Sequence, residues 1–215
     1  MNPEFKAATQ AGYDAVAEEY AERFFDELAA KPLDRALLDC LVELTRGVGV
    51  LADIGCGPGQ IARYLADHGA QAMGIDLSPE MVRLAQRLSP NIPFQQGDML
   101  ALDLADDALG GIAAFYSVIH APPEQMPQVM REFYRVLRPG GLALLSFHIG
   151  DEVVHRDEWW DKPVSLDFHF YQLETLARRL AEAGFHIEAK IERAPYAGSV
   201  EHPSQRGYLL ARKLG

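Results

Sequence analysis

The stretch VLADIGCGPGQ, residues 50–60, decides the fold of this chain. Its first five residues, Val50–Ile54, form an apolar run that predicts a buried strand, and a helical segment follows. Between them Gly55, Gly57 and Gly59 alternate with other residues, which is typical of a turn whose backbone passes close to a ligand. Because the helix that follows offers unpaired amides and a partial positive charge, we expect a polar or anionic ligand here.

Beyond this turn, short apolar runs alternate with amphipathic helical segments, the pattern of crossover units around a parallel sheet. Two final strands follow each other without a helix between them, which predicts an antiparallel hairpin at the sheet edge. The sequence therefore predicts an α/β fold, a doubly wound sheet of seven mostly parallel strands. The predicted strands after the first are 70–76, 92–98, 111–119, 141–149, 185–193 and 207–214.

Apolar residues at helical spacing predict two helices before the first strand, the second from about Leu33 to Arg46. Residues 1–47 are therefore expected to form a helical lid, and 48–150 the ligand-binding core. The segment 151–170 has no clear period, is rich in aromatic residues and histidine, and predicts a loop or small cap. Residues 171–215 complete a single domain with a last helix and the edge hairpin.

Composition excludes several classes of function. The chain is 48% hydrophobic, its apolar runs are too short to span a bilayer, and its net charge of −11 disfavours nucleic acid and anionic lipid. The same charge favours a neutral or cationic small molecule as substrate. Two cysteines in unrelated contexts and an acidic N-terminal segment predict a reducing compartment, the cytoplasm. No histidine pair has the spacing of metal ligands on a helix, so we expect no metal site.

Two classes of ligand bind such a glycine turn, dinucleotides and S-adenosylmethionine. A dinucleotide turn places glycine or alanine five residues after its first glycine, but counting from Gly55 that position is Gln60. Asp53, just before the turn, would repel a pyrophosphate and attract the ammonium group of a methionyl moiety. The spacing thus favours S-adenosylmethionine over a nicotinamide cofactor.

The chain resembles the class I S-adenosylmethionine-dependent methyltransferases, and within them the small-molecule type of the ubiquinone and menaquinone C-methyltransferases. The resemblance covers essentially the whole chain and implies a Rossmann-like fold. One departure is that Gly110 and Gly111 stand where this family commonly has an acidic residue before the fourth strand. The matching pieces, in order, are VLADIGCGPGQIARYLA, GIDLSPEMV, FQQGDML, AAFYSVIHAP and VLRPGGLALLSF.

The resemblance implies roles for individual residues in binding the cofactor. Asp76 would accept hydrogen bonds from both ribose hydroxyls, and Asp98 would accept one from the adenine amino group. The Met99 amide would donate to an adenine ring nitrogen, while Leu77 and Met81 pack on the base. The residues expected around the methionine moiety are Asp53, Gly55, Cys56, Gly57, Gly59 and Ser117, with Tyr20 of the lid, or its neighbour Tyr13, near the sulfonium.

Methyl transfer needs alignment and exclusion of water, and needs a base only when the acceptor atom must lose a proton. His120 directly follows the predicted fourth strand and His148 is near the end of the fifth, at the end of the sheet where the acceptor is expected. Both are candidate bases. We therefore predict in-line methyl transfer to a small molecule, with release of S-adenosylhomocysteine. The alternative is a protein that binds S-adenosylmethionine without transferase activity.

Overall fold

The computed structural model describes residues 3–215, which form nine strands and six α-helices. Residues 1 and 2 of the predicted lid lie outside the described residues. The helices are α1 Pro3–Phe24, α2 Pro32–Leu44, α3 Gln60–Asp67, α4 Pro79–Leu88, α5 Met126–Val136 and α6 Leu173–Glu182. The strands are β1 Val50–Ile54, β2 Ala72–Asp76, β3 Phe94–Gln96, β4 Leu109–Phe115, β5 Leu137–His148, β6 Val153–Trp159, β7 Lys162–His169, β8 Phe185–Arg193 and β9 Arg206–Lys213.

Seven of these strands form one sheet in the order β3-β2-β1-β4-β5-β9-β8, which confirms the predicted fold class. The strands β1 to β5 pair in parallel, while β9 is antiparallel to both of its neighbours, β5 and β8. The run from Leu142 to Phe147 is buried throughout because helices cover both faces of the sheet. Helices α5 and α6 pack on one face, and α2 and α3 on the other.

The strand order reverses direction at β1, since β2 and β3 lie to one side of it and β4 and β5 to the other. Parallel sheets bind ligands in the crevice that opens at such a reversal, beyond the carboxyl ends of the strands. Residues that follow β1, β2 and β3 therefore line one half of the crevice. Residues that follow β4 and β5 line the other half.

The segment 151–170, for which the sequence shows no period, is a two-stranded antiparallel hairpin formed by β6 and β7. Its alternation is broken by a register shift between Arg156 and Glu158, and most of β6 is exposed. The hairpin packs closely against α1 at Gly12. A Cβ atom added to Gly12 would lie only 2.9 Å from Leu166 Cδ2 of β7. Helix and hairpin together cover the carboxyl end of the sheet.

Other predicted boundaries also differ from the structure. The fifth strand begins at Leu137, ahead of its predicted start at 141. The fourth strand ends at Phe115, because Tyr116 has a positive φ of 53° and the chain then forms a short 3-10 helix over Val118–His120. The apolar spacing of the first helix continues in the sequence to Leu28, but α1 ends at Phe24, and a separate 3-10 turn, Glu27–Ala30, precedes α2. Within the described residues, no helix combines the length and the apolar character needed to cross a bilayer.

Close packing against β1 and the residue before it explains the two glycines at the start of β4, Gly110 and Gly111. A Cβ atom on Gly110 would lie 2.5 Å from the backbone nitrogen of Gly49, and one on Gly111 would lie 2.5 Å from Leu51 Cδ2. The pairing of β1 with β4 also shifts register here. A side chain at position 110 would therefore clash with the backbone of Gly49. Backbone atoms cannot move aside as the end of a flexible side chain can.

Replacing Gly110 by alanine should destabilise the protein by about 1–3 kcal/mol through overpacking. In a chain of this length that lowers the melting temperature by roughly 2–4 °C per kcal/mol. The matched control is Gly198→Ala, where the added Cβ atom meets no other atom within 4 Å. Equal melting temperatures for the two variants would contradict the close approach of the two strands.

Candidate functional site

A pocket with a volume of about 250 Å³ lies at the carboxyl ends of β1 to β5, beneath α1 and the β6-β7 hairpin. All but one of the predicted site residues line it. The exception is Gly59, which begins α3 with a φ of +87° and packs against Phe94. The predicted residues in the pocket wall are Tyr20, Asp53, Gly55, Cys56, Gly57, Asp76, Leu77, Met81, Asp98, Met99, Ser117, His120 and His148.

The glycine turn forms the floor of the pocket. At Gly55, with φ +74°, a Cβ atom would lie 2.3 Å from Ser117 Cβ, so the turn touches the residue that follows β4. At Gly57, with φ +51°, the nearest side-chain atoms to such a Cβ are in Tyr20 at 3.8 Å and Gln60 at 4.0 Å. A Cβ atom at Gly57 would therefore be in van der Waals contact with Tyr20 of α1, so the turn lies close beneath this helix.

The Asp53 carboxylate is buried at the end of β1, with 1% of the residue exposed. One of its oxygens accepts a hydrogen bond from the Ala62 amide at 3.1 Å. Burial, reinforced by the nearby charge of Asp76, raises the pKa of Asp53 to about 8. A cation placed beside this carboxylate would favour its ionised form, so the site is built to gain from a positively charged ligand.

Asp76 ends β2 and ties the glycine turn to the next helix. Its two carboxylate oxygens accept hydrogen bonds from the amides of Gly57 at 2.7 Å and Ser78 at 2.8 Å. Burial raises the pKa of Asp76 to about 6 in spite of these bonds. Since each carboxylate oxygen has a second lone pair, Asp76 retains acceptor capacity toward the pocket.

Asp98 follows β3, and its carboxylate already has a cationic partner. Lys6 of α1 lies 2.8 Å from Asp98 Oδ2, and Oδ1 accepts a hydrogen bond from the Leu100 amide. Asp14 of the same helix accepts from Ser78 Oγ at 2.5 Å. The lid helix is therefore attached by polar contacts to the residues that follow β2 and β3.

Aromatic rings form the roof of the pocket. The ring of Tyr20 lies 6.1 Å from that of Tyr13 and 5.9 Å from that of Trp159, in both cases edge to face. Burial raises the pKa of both tyrosines, so their hydroxyls remain protonated. Electron-rich ring faces and neutral hydroxyls are suited to a cationic, partly apolar ligand.

The two candidate bases in the pocket, His120 and His148, differ in the nitrogen that carries the proton. His120 Nδ1 lies 2.9 Å from the Asp167 carbonyl, which only accepts, so Nδ1 is protonated and Nε2 accepts from the Tyr13 hydroxyl at 2.7 Å. Burial lowers the pKa of His120 to about 4. His120 is thus neutral, and its basic nitrogen is covered by a lid residue.

His148 has the opposite arrangement. Two groups contact His148 Nδ1, the Ser204 hydroxyl at 2.7 Å and the Arg206 guanidinium at 2.9 Å. The guanidinium only donates, so Nδ1 is its acceptor and the neutral ring carries its proton on Nε2. Burial and the charge of Arg206 lower the pKa of His148 to about 3. This geometry favours a donor role for His148 and disfavours the predicted role as a base.

Comparison with known proteins connects this geometry to a family. Residues 51–141 match the family model described as a methyltransferase domain. This match covers the strands β1 to β4, the glycine turn and the acidic residues that follow β2 and β3.

These residues form a methyltransferase domain.

Several named methyltransferases contain a similar domain. The chain is 38% identical over 96 residues to a demethylmenaquinone methyltransferase of Chlorobaculum parvum, covering 44% of this chain and 39% of the relative. It is 29% identical over 160 residues to a malonyl-[acyl-carrier protein] O-methyltransferase of Enterobacter lignolyticus, covering 74% and 61%. The chain thus spans less than two thirds of the length of either relative.

The similarity of fold extends beyond the matched region of the methyltransferase domain. The structure of magnesium protoporphyrin IX methyltransferase from Synechocystis, solved with bound S-adenosylmethionine, superposes with a TM-score of 0.71 and 16% identity. The superposition covers 97% of each chain. The fold of the chain outside the matched residues, including α1 and the edge strands β8 and β9, is therefore similar to that of a known structure.

Several residues of the pocket were missed by sequence reasoning. Arg206 and Arg156 line it from β9 and β6, elements far from any motif, and no local pattern identifies them. Gln60, directly after the glycine turn, has a buried Oε1 atom for which the described residues offer no hydrogen-bond partner. The described residues contain no group of three metal-ligating side chains.

Replacing Asp53 by asparagine should stabilise the ligand-free methyltransferase domain. The folded-state pKa of about 8 lies above the unfolded value of 3.8, so Asp53 lowers stability progressively as the pH rises from 3.8 to 8. The gain of Asp53→Asn should therefore grow over that range and stay constant above it, reaching about 1 kcal/mol or more. Thermal unfolding of both proteins at several pH values measures the difference, and a gain that does not change with pH would contradict it.

Proposed function

We propose that this chain binds S-adenosylmethionine and transfers its methyl group to a small-molecule acceptor. The observation that carries the proposal is a pair of carboxylates, the buried Asp53 and the partly buried Asp76, on either side of a glycine turn at the reversal of the strand order. The matched family and the methyltransferase relatives support the same activity. The cofactor would supply a methyl group already activated on a sulfonium.

The residues present fit this cofactor. Asp76 has free lone pairs for the two ribose hydroxyls, and Asp53 is a buried carboxylate whose ionised form a methionyl ammonium would stabilise. Gly57 and Tyr20 both line the pocket, so the ligand is expected between the turn and α1. Ser117 Oγ, buried and without a hydrogen-bond partner among the described residues, faces the same pocket.

The lid would close over the cofactor. The neutral rings of Tyr20 and Tyr13 line the pocket, where the positive sulfonium is expected. A cation over an aromatic face is stabilised by about 0.5–2 kcal/mol. The aromatic roof also excludes water, which strengthens each polar contact beneath it. Lys6 shares Asp98 with the adenine amino group in this arrangement.

His120 is the residue that we propose as general base. Its protonated Nδ1 is held by the Asp167 carbonyl, so the ring orientation is set, and Nε2 faces the Tyr13 hydroxyl. An acceptor hydroxyl that takes the place of the Tyr13 hydroxyl would deliver its proton to Nε2. The pKa of about 4 keeps this nitrogen unprotonated at neutral pH.

We also infer where the chain works and what it avoids. Both cysteines are free, Cys56 within the cofactor turn, and this supports a reducing compartment such as the cytoplasm. The net charge of −11 supports a small molecule over nucleic acid as acceptor. The named relatives act on acceptors as different as a menaquinone precursor and a malonyl thioester, so the relatives alone do not select the acceptor of this chain.

Replacing Asp76 by alanine should weaken the binding of S-adenosylhomocysteine by at least about 1.5 kcal/mol, the loss of a charge-assisted hydrogen bond. Isothermal titration calorimetry measures this change. The control is Asp103→Ala, an exposed carboxylate outside the pocket, which should leave the affinity unchanged. Unchanged affinity in Asp76→Ala would show that the ribose is bound elsewhere.

Replacing His120 by alanine should slow methyl transfer by about 10²–10⁴-fold if the acceptor loses a proton, with little effect on cofactor affinity. The rate is the formation of S-adenosylhomocysteine with the best acceptor from a metabolite panel. Normal rates in the variant would remove His120 from the reaction. If the intact chain binds S-adenosylhomocysteine but no acceptor yields product, binding without transfer becomes the better account.

A further inference from the structure

The half of the pocket that follows β4 and β5 carries positive charge, although the chain as a whole is acidic. Arg156, His202 and Arg206 line this half together with His148. Arg206 and Arg156 both lower the pKa of His202, after burial as the largest cause, so this ring lies in the field of two guanidinium groups. The local charge is therefore opposite to that expected from the net charge of −11.

Arg206 is the buried centre of this group, with 2% of the residue exposed. Its guanidinium donates to the His202 carbonyl at 2.7 Å, to the Ser204 carbonyl at 2.7 Å and to His148 Nδ1 at 2.9 Å. It also donates to the Ser204 hydroxyl. Its Nε atom has no hydrogen-bond partner among the described residues, and the nearest carboxylate oxygen, Glu201 Oε2, is 3.5 Å away.

The bond from Arg206 gives His148 a defined donor. Because Nδ1 accepts from the guanidinium, the proton of the neutral ring is on Nε2. The ring is held flat against Phe170, with centroids 4.7 Å apart and planes 15° apart. His148 therefore offers the pocket an N–H group whose position is fixed by stacking and whose protonation is fixed by Arg206.

The charges of the described residues around this end do not balance. Arg193 pairs with Glu201 at 2.5 Å and with Asp34 at 3.2 Å. Lys31 and Glu27, in the same part of the wall, pair with each other at 2.5 Å. These pairs leave three guanidinium groups, those of Arg156, Arg193 and Arg206, facing two carboxylates. No carboxylate within the described residues lies close enough to form an ion pair with Arg156, so one positive charge is left over.

Aromatic rings border the same space. His120 lies 5.0 Å from Phe168 and 5.1 Å from Tyr13, centroid to centroid, and Trp159 lies 5.7 Å from Phe168. These rings meet edge to face and form an apolar part of the pocket wall, beside the positive groups. A flat, apolar body with one anionic end matches both halves of this surface.

We propose that the acceptor of this chain is a small aromatic carboxylate, whose carboxylate is bound by His148 Nε2–H with Arg206 and Arg156, and whose ring contacts Phe168 and Trp159. The inference rests on the proposed function, since it concerns the acceptor half of the same pocket. It replaces the neutral or cationic acceptor that the net charge favours. It also makes His148 a specificity-determining residue.

S-adenosylmethionine carries a carboxylate too, and a test must separate the two sources. The cofactor is expected over β1, β2 and β3, whereas His148 and Arg206 lie on β5 and β9, on the other side of β4. If the positive group binds the acceptor, removing it leaves the affinity for S-adenosylhomocysteine unchanged. If it binds the methionyl carboxylate, that affinity falls.

The probes are 4-hydroxybenzoate and its neutral counterpart 4-hydroxybenzamide, each titrated calorimetrically into the full chain saturated with S-adenosylhomocysteine. We expect 4-hydroxybenzoate to bind at least about tenfold more tightly, the loss of one charge-assisted hydrogen bond in the amide. Arg156→Gln and His148→Phe should each abolish this preference. Because Arg156 is exposed and unpaired, its variant should fold even if His148→Phe does not.

The matched control is Arg131→Gln, an exposed arginine of α5 outside the pocket, which should keep the preference. Equal binding of the two probes, or no binding of either, would overturn the proposal, as would a preference that survives Arg156→Gln. Weaker binding of S-adenosylhomocysteine in Arg156→Gln would overturn it in favour of the cofactor carboxylate. Failure of the intact chain to bind S-adenosylhomocysteine at all is a separate result and rejects the proposed function itself.

Discussion

The contact between Gly55 and Ser117 is the constraint on which the site depends. A Cβ atom at Gly55 would lie 2.3 Å from Ser117 Cβ, so the chain leaves β1 along this path only because position 55 has no side chain. The path brings the Gly57 amide within 2.7 Å of the Asp76 carboxylate, which connects the ends of β1 and β2. The crevice at the reversal of the strand order is therefore lined by the backbone of the glycine turn. The proposed sites for the ribose and the methionyl group both lie on this turn.

Electrostatics divide the pocket into two unlike halves. Beyond β1 and β2 lie Asp53 and Asp76, whose pKa values burial raises, so this half gains from a cationic ligand rich in hydroxyl donors. Beyond β5 lie His148 and Arg206, one a fixed N–H donor and the other a buried cation. A cofactor and an acceptor of opposite local charge would each find a complementary surface. The net charge of the chain describes neither half, because it sums over a surface that the ligands do not touch.

The sheet could be predicted from sequence because its signals are local. Strand β1 occupies the predicted residues, and Ser78, just after β2, caps α4 by accepting from the Met81 amide. The β6-β7 hairpin could not, since a register shift breaks its alternation and α1, distant in sequence, covers it. The acidic residues of the cofactor half follow strands in short motifs, whereas Arg206 acts from β9 through contacts that only the fold creates. The division into lid, core, cap and C-terminal hairpin, as parts of one domain, stays a prediction.

A crystal structure of the chain with S-adenosylhomocysteine tests whether the cofactor binds at the glycine turn. We expect the ligand on this turn, with both ribose hydroxyl oxygens about 2.5–3.0 Å from the Asp76 carboxylate. We also expect the ammonium group on the side of Asp53 and the sulfur beneath Tyr20 and Tyr13. A ligand that binds elsewhere, or a turn that stays free at saturating concentrations of S-adenosylhomocysteine, would contradict this placement.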